Sequence, residues 1–489
     1  MMGIRSLSGL DAGFLYIETP EAPMHVGALA LFAYPAHEHG PLIEHVRAHL
    51  AGRLHLSGVL NQRLALMPFD LGHPIWVNAD DIDLEHHVRH AKLPKPGSLA
   101  ALEKLVAKLH AEPLDRSRPL WQFWIIEGLR DGSFALFTKV HHAALDGAAG
   151  VALAHALLDL GPSPRSVPAP SDKEPKPPPG VRRKLGMLFT NTLAQYTKLA
   201  KSLPDIAQMA SSGAGKLRAA LKAPTALVDR WLAPRTRFNV AIDATRTIAT
   251  WSLPLPEFKS VAAMLDASLN DLLLTLCSGA LRRYLKAQRE LPKASLIAAI
   301  PVSLREQGDA SANNQVTMLP CHLGTQFAKA EDRLAAVQAG MAELKQTTST
   351  YKSLIPTDYP SLGAPWIVSG LAQLYAKSKL AERVPLPVNV IISNVPGSPI
   401  PLYLAGARML AYHPISAITH GLALNITVQS YEKALDFGLV ACARAVPDLA
   451  AVIDALAAEY DELKALAAAR LAPTPSRKRK PATRTRSKA

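Results

Sequence analysis

Between Gly161 and Gly180, eight of twenty residues are proline. Proline lacks an amide N–H and fixes φ, so this stretch can form neither a helix nor an inner strand. It reads as an extended, solvated connector. It cuts the 489-residue chain into two long pieces, each of domain size. With 48% hydrophobic and 19% charged residues, the chain has ample apolar surface for packed cores. We divide it into residues 1–160, a Pro-rich connector and basic segment over 161–235, residues 236–470, and a basic tail over 471–489.

Both long pieces alternate strand-like and helix-like runs, an α/β pattern. In the first, Met24 to Phe32 and Ser133 to Val140 are apolar runs of strand length, the second after an Asp131-Gly132 turn. Leu42 to Leu56 has helical spacing. Ala148 to Leu160 predicts an apolar helix with Gly161 at its C-cap. In the second piece, Thr245 to Leu253, Leu296 to Val302, Val388 to Ile392, Leu422 to Ser430 and Asp436 to Ala443 predict strands. Leu269 to Leu285 and Leu449 to Ala468 predict helices.

The net charge of +14 suits an acidic partner: nucleic acid, an anionic membrane or a phosphorylated ligand. Its distribution narrows the choice. Val181 to Lys222 holds eight Lys or Arg against one acid, Asp205, and the stretch from Pro473 onward has seven basic residues and no acid. The excess sits in peripheral segments and leaves the body nearly neutral, which fits an anionic membrane or lipid-droplet surface better than a nucleic-acid groove. No nucleic-acid-binding motif accompanies it. Cys277, Cys321 and Cys442 are too scattered for a disulfide framework, and no CxxC pair exists for a zinc ribbon. No run of 18 apolar residues and no secretory leader occur, so we expect a cytoplasmic chain that works at a membrane surface.

The sharpest chemical feature is His141-His142-Ala143-Ala144-Leu145-Asp146-Gly147, between an expected strand and an expected helix. Adjacent side chains at a strand end point to opposite sides, so one histidine can pack while the other faces a cleft. Neutral imidazole is a suitable general base near neutral pH. Gly147 lets the backbone turn tightly, and Asp146 could equally serve as an N-cap. A second cluster, His86-His87 with His90, lacks the Asp-Gly turn and a third metal ligand, and reads as a surface strand or helix face. No metal site is expected.

The HHAALDG stretch is the HHxxxDG signature of the coenzyme-A-dependent acyltransferase superfamily. The rest of the chain resembles one branch of it, the bacterial wax ester synthase/diacylglycerol acyltransferase family. The resemblance rests on Asp11-Ala12-Gly13-Phe14, Pro23-Met24-His25-Val26-Gly27, Pro119-Leu120-Trp121, Asn270-Asp271 and Pro301-Val302-Ser303-Leu304-Arg305. Ile392-Ser393-Asn394-Val395-Pro396-Gly397, Asn425-Ile426-Thr427-Val428 and Leu435-Asp436-Phe437-Gly438 complete it, in order, over about 1–160 and 236–460. Cys442 and Ala443 stand where the family would lead us to expect an acidic and a basic residue.

The resemblance implies an α+β fold of two chloramphenicol-acetyltransferase-like subdomains with the active site in a tunnel between them. It implies acyl-CoA as co-substrate, no other cofactor, and a diacylglycerol or a fatty alcohol as acceptor. His142 would take the acceptor's hydroxyl proton, and the oxygen would attack the thioester with no acyl-enzyme, consistent with the lack of a GxSxG nucleophile elbow. His141 and Gly147 would complete the motif. Asp146 would shape the turn by pairing with an arginine, for which Arg63 is the candidate. Asn270 and Asp271, near the reaction centre, and Ser393 and Asn394, at the interface between the halves, would bind substrate. The residues alone also permit simpler readings. Ser268 to Asp271 is a capping box, Ser393 to Gly397 a strand-ending turn, and Trp121 a buried anchor. A condensation-type or small-molecule acyltransferase is the enzymatic alternative, although the chain carries no carrier or adenylation region.

Overall fold

The computed structural model describes residues 5–35, 40–70, 72–79, 81–145, 147–169, 232–303, 316–351 and 364–471, with Gly180 and Gly186. Asp146, part of the connector, nearly all of the basic segment and the tail beyond Leu471 lie outside the described residues.

Two six-stranded sheets build the molecule. One runs in the order Tyr403–Leu404, Ala407–Ile415, His25–Phe32, Phe134–His141, Trp121–Glu127, Val88–Lys92. The other runs Val316–His322, Ile297–Ser303, Val390–Val395, Leu424–Tyr431, Ala434–Cys442, Arg246–Pro254. A small third sheet joins Arg5–Ser6, Ile75–Asn78 and Gln62–Ala65.

Phe134–His141 explains why its sequence reads as a continuous apolar run. Ala135 and Phe137 enter the larger core, while Phe134, Leu136 and Val140 enter a second core on the opposite face. Both faces are covered, so no polar alternation survives. The larger core is shared by the two halves: Leu29, Phe137 and the helix residues Leu102, Val106 and Leu109 pack with Ile248, Phe437 and Leu439. The Leu99–Ala111 helix is also tied to the far sheet, because Glu103 Oε1 accepts from Thr250 N at 2.7 Å and Thr250 Oγ1 at 2.8 Å.

One strand crosses between the halves. Ala407–Ile415 belongs by sequence to the C-terminal half but pairs antiparallel with His25–Phe32. Its crossing is held against Ala434–Cys442. Asp436 Oδ2 accepts from Tyr412 N at 2.9 Å, and the His413 ring meets Phe437 O at 3.0 Å. A Cβ on Gly438 would lie 1.7 Å from Pro414 O, so only glycine permits this approach. Asp436 and Gly438 of the Leu435 to Gly438 run are thus explained by strand crossing.

Several expectations are corrected. The helix expected to reach Leu160 is Gly147–Leu157, and Gly161 is not its cap. The chain leaves the helix early because Asp159 bridges Tyr403 and its carboxylate meets the buried Arg53 at 2.9 Å. Ser393 and Asn394 are not turn residues. They continue the Val390–Val395 strand, in parallel register with Thr427 and Val428. The strands Trp121–Glu127, Val316–His322 and Ala407–Ile415 were not foreseen, and Val88–Lys92 only as one of two readings of its histidine cluster. Among the described residues no single helix is long and apolar enough to cross a membrane.

Candidate active site

His141 is the last residue of Phe134–His141, and the chain then makes a 3-10 turn, His142–Ala144. By strand alternation His141 shares the side of Ala135, Phe137 and Lys139, which faces the C-terminal half. It is 1% exposed and is held at both ring nitrogens. Nδ1 accepts the amide proton of Ala143 at 3.1 Å, so His141 caps the turn that carries His142. Nε2 lies 3.1 Å from Glu18 Oε2. With Nδ1 used as acceptor, the ring proton sits on Nε2 and is donated to the carboxylate.

His142 is half-buried, and its ring lies flat on Phe14, with centroids 3.8 Å apart and 13° between planes. Its backbone N–H donates to Met24 O at 2.8 Å. Nδ1 is buried and, among the described residues, has no other side chain or backbone group as hydrogen-bond partner. Burial is the main cause that pushes the imidazole down to about 4; its own backbone offsets this in part and neighbouring His141 adds to it. At neutral pH the ring is therefore uncharged and able to accept a proton.

Glu18 is the residue sequence reasoning missed. Its Oε1 accepts from Arg116 Nε at 3.1 Å and from an Arg116 terminal nitrogen at 2.7 Å, and its Oε2 from Met24 N at 2.8 Å. Burial alone would raise this carboxyl, but His141, Arg116 and the Met24 amide outweigh it and hold it at about 2. No periodicity marks a single glutamate in a loop; its only signal is its place between the Asp11 to Phe14 and Pro23 to Gly27 runs. Those two runs now have local reasons. Phe14 supplies the stacking face, Met24 binds both Glu18 and His142, and a Cβ on Gly27 would lie 1.6 Å from Thr138 O.

The other expected residues fall in a second group. Ser268 and Asp271 form a capping box at the start of Leu269–Ala287, with Ser268 N donating to Asp271 Oδ2 at 3.1 Å. The cap uses Oδ2 of the Asp271 carboxylate. Asn270 is free of that cap, and among the described residues its Nδ2 meets the Met341 sulfur at 4.0 Å. Asn394 lines a cavity of about 220 Å³ with Leu269 and Leu273, so the end of its strand and the first turns of this helix share one wall. Ser393 is the strand neighbour of Asn394. Among the described residues no hydrogen bond joins this group to His141 or His142.

Gly147 opens its helix, while Asp146 lies outside the described residues. Arg63 sits on Gln62–Ala65 as the register partner of Val77, and its proposed pairing with Asp146 likewise falls outside them. Trp121 is a buried anchor, 1% exposed, with its indole N–H on Leu60 O at 3.1 Å. The His86–His90 cluster is not one face, because a one-turn helix, Leu84–His87, gives way to a strand at Val88. His87 is buried on Trp121 rather than at the surface, and His90 pairs with Glu127. Cys442 is buried with its thiol 3.4 Å from Asp243 Oδ1, and Arg444 lies 3.8 Å from the same carboxylate. Asp243 and Arg444 thus supply an acid and a base beside the position where Cys442 and Ala443 lack them.

Comparison with known proteins bears on the whole chain. The wax ester synthase/diacylglycerol acyltransferase catalytic domain matches residues 7–273, and the C-terminal domain of that family matches 312–464. A putative diacylglycerol O-acyltransferase of Mycobacterium tuberculosis is 37% identical over 468 residues, covering 94% of this chain and 99% of its own. A probable diacylglycerol O-acyltransferase of the same organism is 35% identical, covering 93% and 97%. The wax ester synthase/diacylglycerol acyltransferase of Marinobacter aquaeolei has a similar structure, with TM-score 0.66, 31% identity and coverage of 95% and 100%. The first condensation domain of a calcium-dependent antibiotic synthetase aligns with TM-score 0.57 at 15% identity, over 95% and 96% of the two chains, a likeness of fold alone. The fold is the two-subdomain acyltransferase fold expected from the HHxxxDG signature.

Proposed function

The chain belongs to the wax ester synthase/diacylglycerol acyltransferase family, and on that premise we propose that it transfers a long-chain acyl group from acyl-CoA to a diacylglycerol, a long-chain fatty alcohol or both. The observation that carries the reading is His142: an uncharged imidazole at a strand end, stacked on Phe14. It accepts the acceptor's hydroxyl proton as that oxygen attacks the thioester carbonyl. The thioester bond breaks, and free CoA leaves with a proton. A positioned base of this kind contributes about 10²–10⁴-fold, and alignment of the two substrates contributes more. Acyl-CoA is the co-substrate, with no further cofactor. Asn270, Asn394 and Ser393 lie along the substrate path between the halves.

The place of work in this reading is an anionic membrane or lipid-droplet surface on the cytoplasmic side. The support is an exposed apolar stripe on the Ala364–Lys377 helix, where Ile367, Leu371 and Leu374 are 55%, 61% and 59% exposed. Lys377 and Lys379, both exposed, follow at its end. Apolar residues that enter a headgroup layer beside lysines that meet anionic lipids suit such a surface. This helix packs on Gly9–Ile17, which carries Phe14, so the stripe lies near the candidate base.

Labelled palmitoyl-CoA supplied with hexadecanol or with dioleoylglycerol tests the activity directly. Labelled wax ester or triacylglycerol is expected. No neutral lipid with either acceptor would overturn the reading.

A further inference from the structure

We propose that Glu18 is a positioning residue for the transfer reaction: it locks the His141 ring, and through it the turn that presents His142. The proposal rests on the reading of His142 as the base.

The hydrogen bonds form a closed circuit. The Glu18 carboxylate takes the His141 Nε2 proton, and His141 Nδ1 takes the amide proton of Ala143. The turn so capped begins at His142, whose amide donates to Met24 O; Met24 N then donates back to Glu18. Arg116 grips the remaining carboxylate oxygen from outside and also donates to Leu15 O at 2.8 Å. The Glu18 side chain is only 9% exposed, so these partners replace water almost entirely.

The charge of Glu18 has a specific consequence. A carboxylate can only accept, so it admits only the His141 ring state with the proton on Nε2. That state leaves Nδ1 free to accept from Ala143. A glutamine could offer either its oxygen or its NH₂, so it would admit the ring flipped or in the other tautomer, and the cap on the turn would be lost part of the time. Displacement of a catalytic group by about 1 Å costs on the order of 10²-fold. The geometry therefore assigns Glu18 an effect on turnover rather than on substrate affinity.

Glu18→Gln, which keeps the volume, should lower kcat by about 10–100-fold with KM for palmitoyl-CoA unchanged. Side-chain ¹⁵N spectra should show His141 protonated at Nε2 in the parent and a mixture of ring states in Glu18→Gln. Glu18→Asp, which keeps the charge, should retain the Nε2-protonated form. Glu18→Gln combined with His141→Ala should lose no more than His141→Ala alone, because both act through one ring. Full kcat in Glu18→Gln, an unchanged His141 spectrum, or additive losses in the double variant would each overturn the proposal. Full activity of His142→Ala would instead overturn the assignment of the base, while the His141 spectra still report whether Glu18 holds the ring.

Discussion

The imidazole of His142 lies flat against the ring of Phe14, with centroids 3.8 Å apart and planes 13° from parallel. The stack covers one face of the ring and restricts its rotation, so the base candidate is aimed by an apolar contact as well as by its backbone bond to Met24. Three different stretches meet here: the Gly9–Ile17 helix, the residue before His25–Phe32, and the end of Phe134–His141.

His142→Ala should remove about 10²–10⁴-fold of kcat in the palmitoyl-CoA assay. Phe14→Ala should fold and bind acyl-CoA but lose about 10–100-fold of kcat, because the ring is no longer held in place. His141→Ala should retain more activity than His142→Ala. Equal activity of His142→Ala and the parent would remove the assigned base.

The pH dependence of kcat/KM should follow the His142 ring. Burial pushes it to about 4, so the uncharged form persists well below the ordinary histidine range. Brief initial-rate measurements should show a plateau from pH 7 down to about 5, with the acid limb below. An acid limb centred near 6.5 would mean that the ring titrates like an exposed histidine.

Stability should respond differently from activity. Burial holds His87 at about 4 and His110 at about 3, alongside His142 at about 4. Between these values and about 6.5 the unfolded chain binds more protons than the folded one. Stability is therefore complete above about pH 6.5 and falls as pH drops toward 4, by about 1.4 kcal/mol per pH unit for each histidine that titrates only when unfolded. The thermal midpoint should be level between pH 7 and 8 and decline below 6.5. A level midpoint down to pH 5 would contradict the buried, uncharged histidines.

Gly438→Ala tests the strand crossing. The new methyl group would meet Pro414 O, so the Ala407–Ile415 strand must shift away from Ala434–Cys442. A loss of about 1–3 kcal/mol or more is expected in thermal unfolding. Gly13→Ala, inside the Gly9–Ile17 helix at a position where a Cβ meets nothing within 4 Å, is the control: it should leave the midpoint level or raise it slightly.

Replacement of Ile367, Leu371 and Leu374 by glutamate should abolish cosedimentation with anionic phosphatidylglycerol vesicles and spare activity on detergent-dispersed dioleoylglycerol. Each lysine near such a surface contributes on the order of 1 kcal/mol, so Lys377→Glu should weaken binding and steepen its loss with salt. Unchanged sedimentation of the triple variant would assign the stripe to another partner. Deletion of 473–489 measures the share that belongs to the basic tail.

The histidine motif and the capping box at Ser268 were legible in the sequence because each is written in adjacent residues. The Leu269–Ala287 helix and Phe134–His141 strand were legible from periodicity and apolar length. Trp121–Glu127 was harder, since burial on both faces erases the alternation that marks a strand. Val88–Lys92 is short, and its parallel partner lies more than thirty residues ahead.

By itself the sequence determined the α/β alternation, the family, and the His141-His142 motif as the candidate site, because local chemistry and spacing carry that information. Tertiary structure alone decided that Ala407–Ile415 would serve the opposite sheet and that Glu18, 123 residues from His141, would hold its ring. Neither leaves a local trace. Strand partners are chosen by register and by shared burial, and a single carboxylate gains its role only when folding removes the water that would otherwise solvate it.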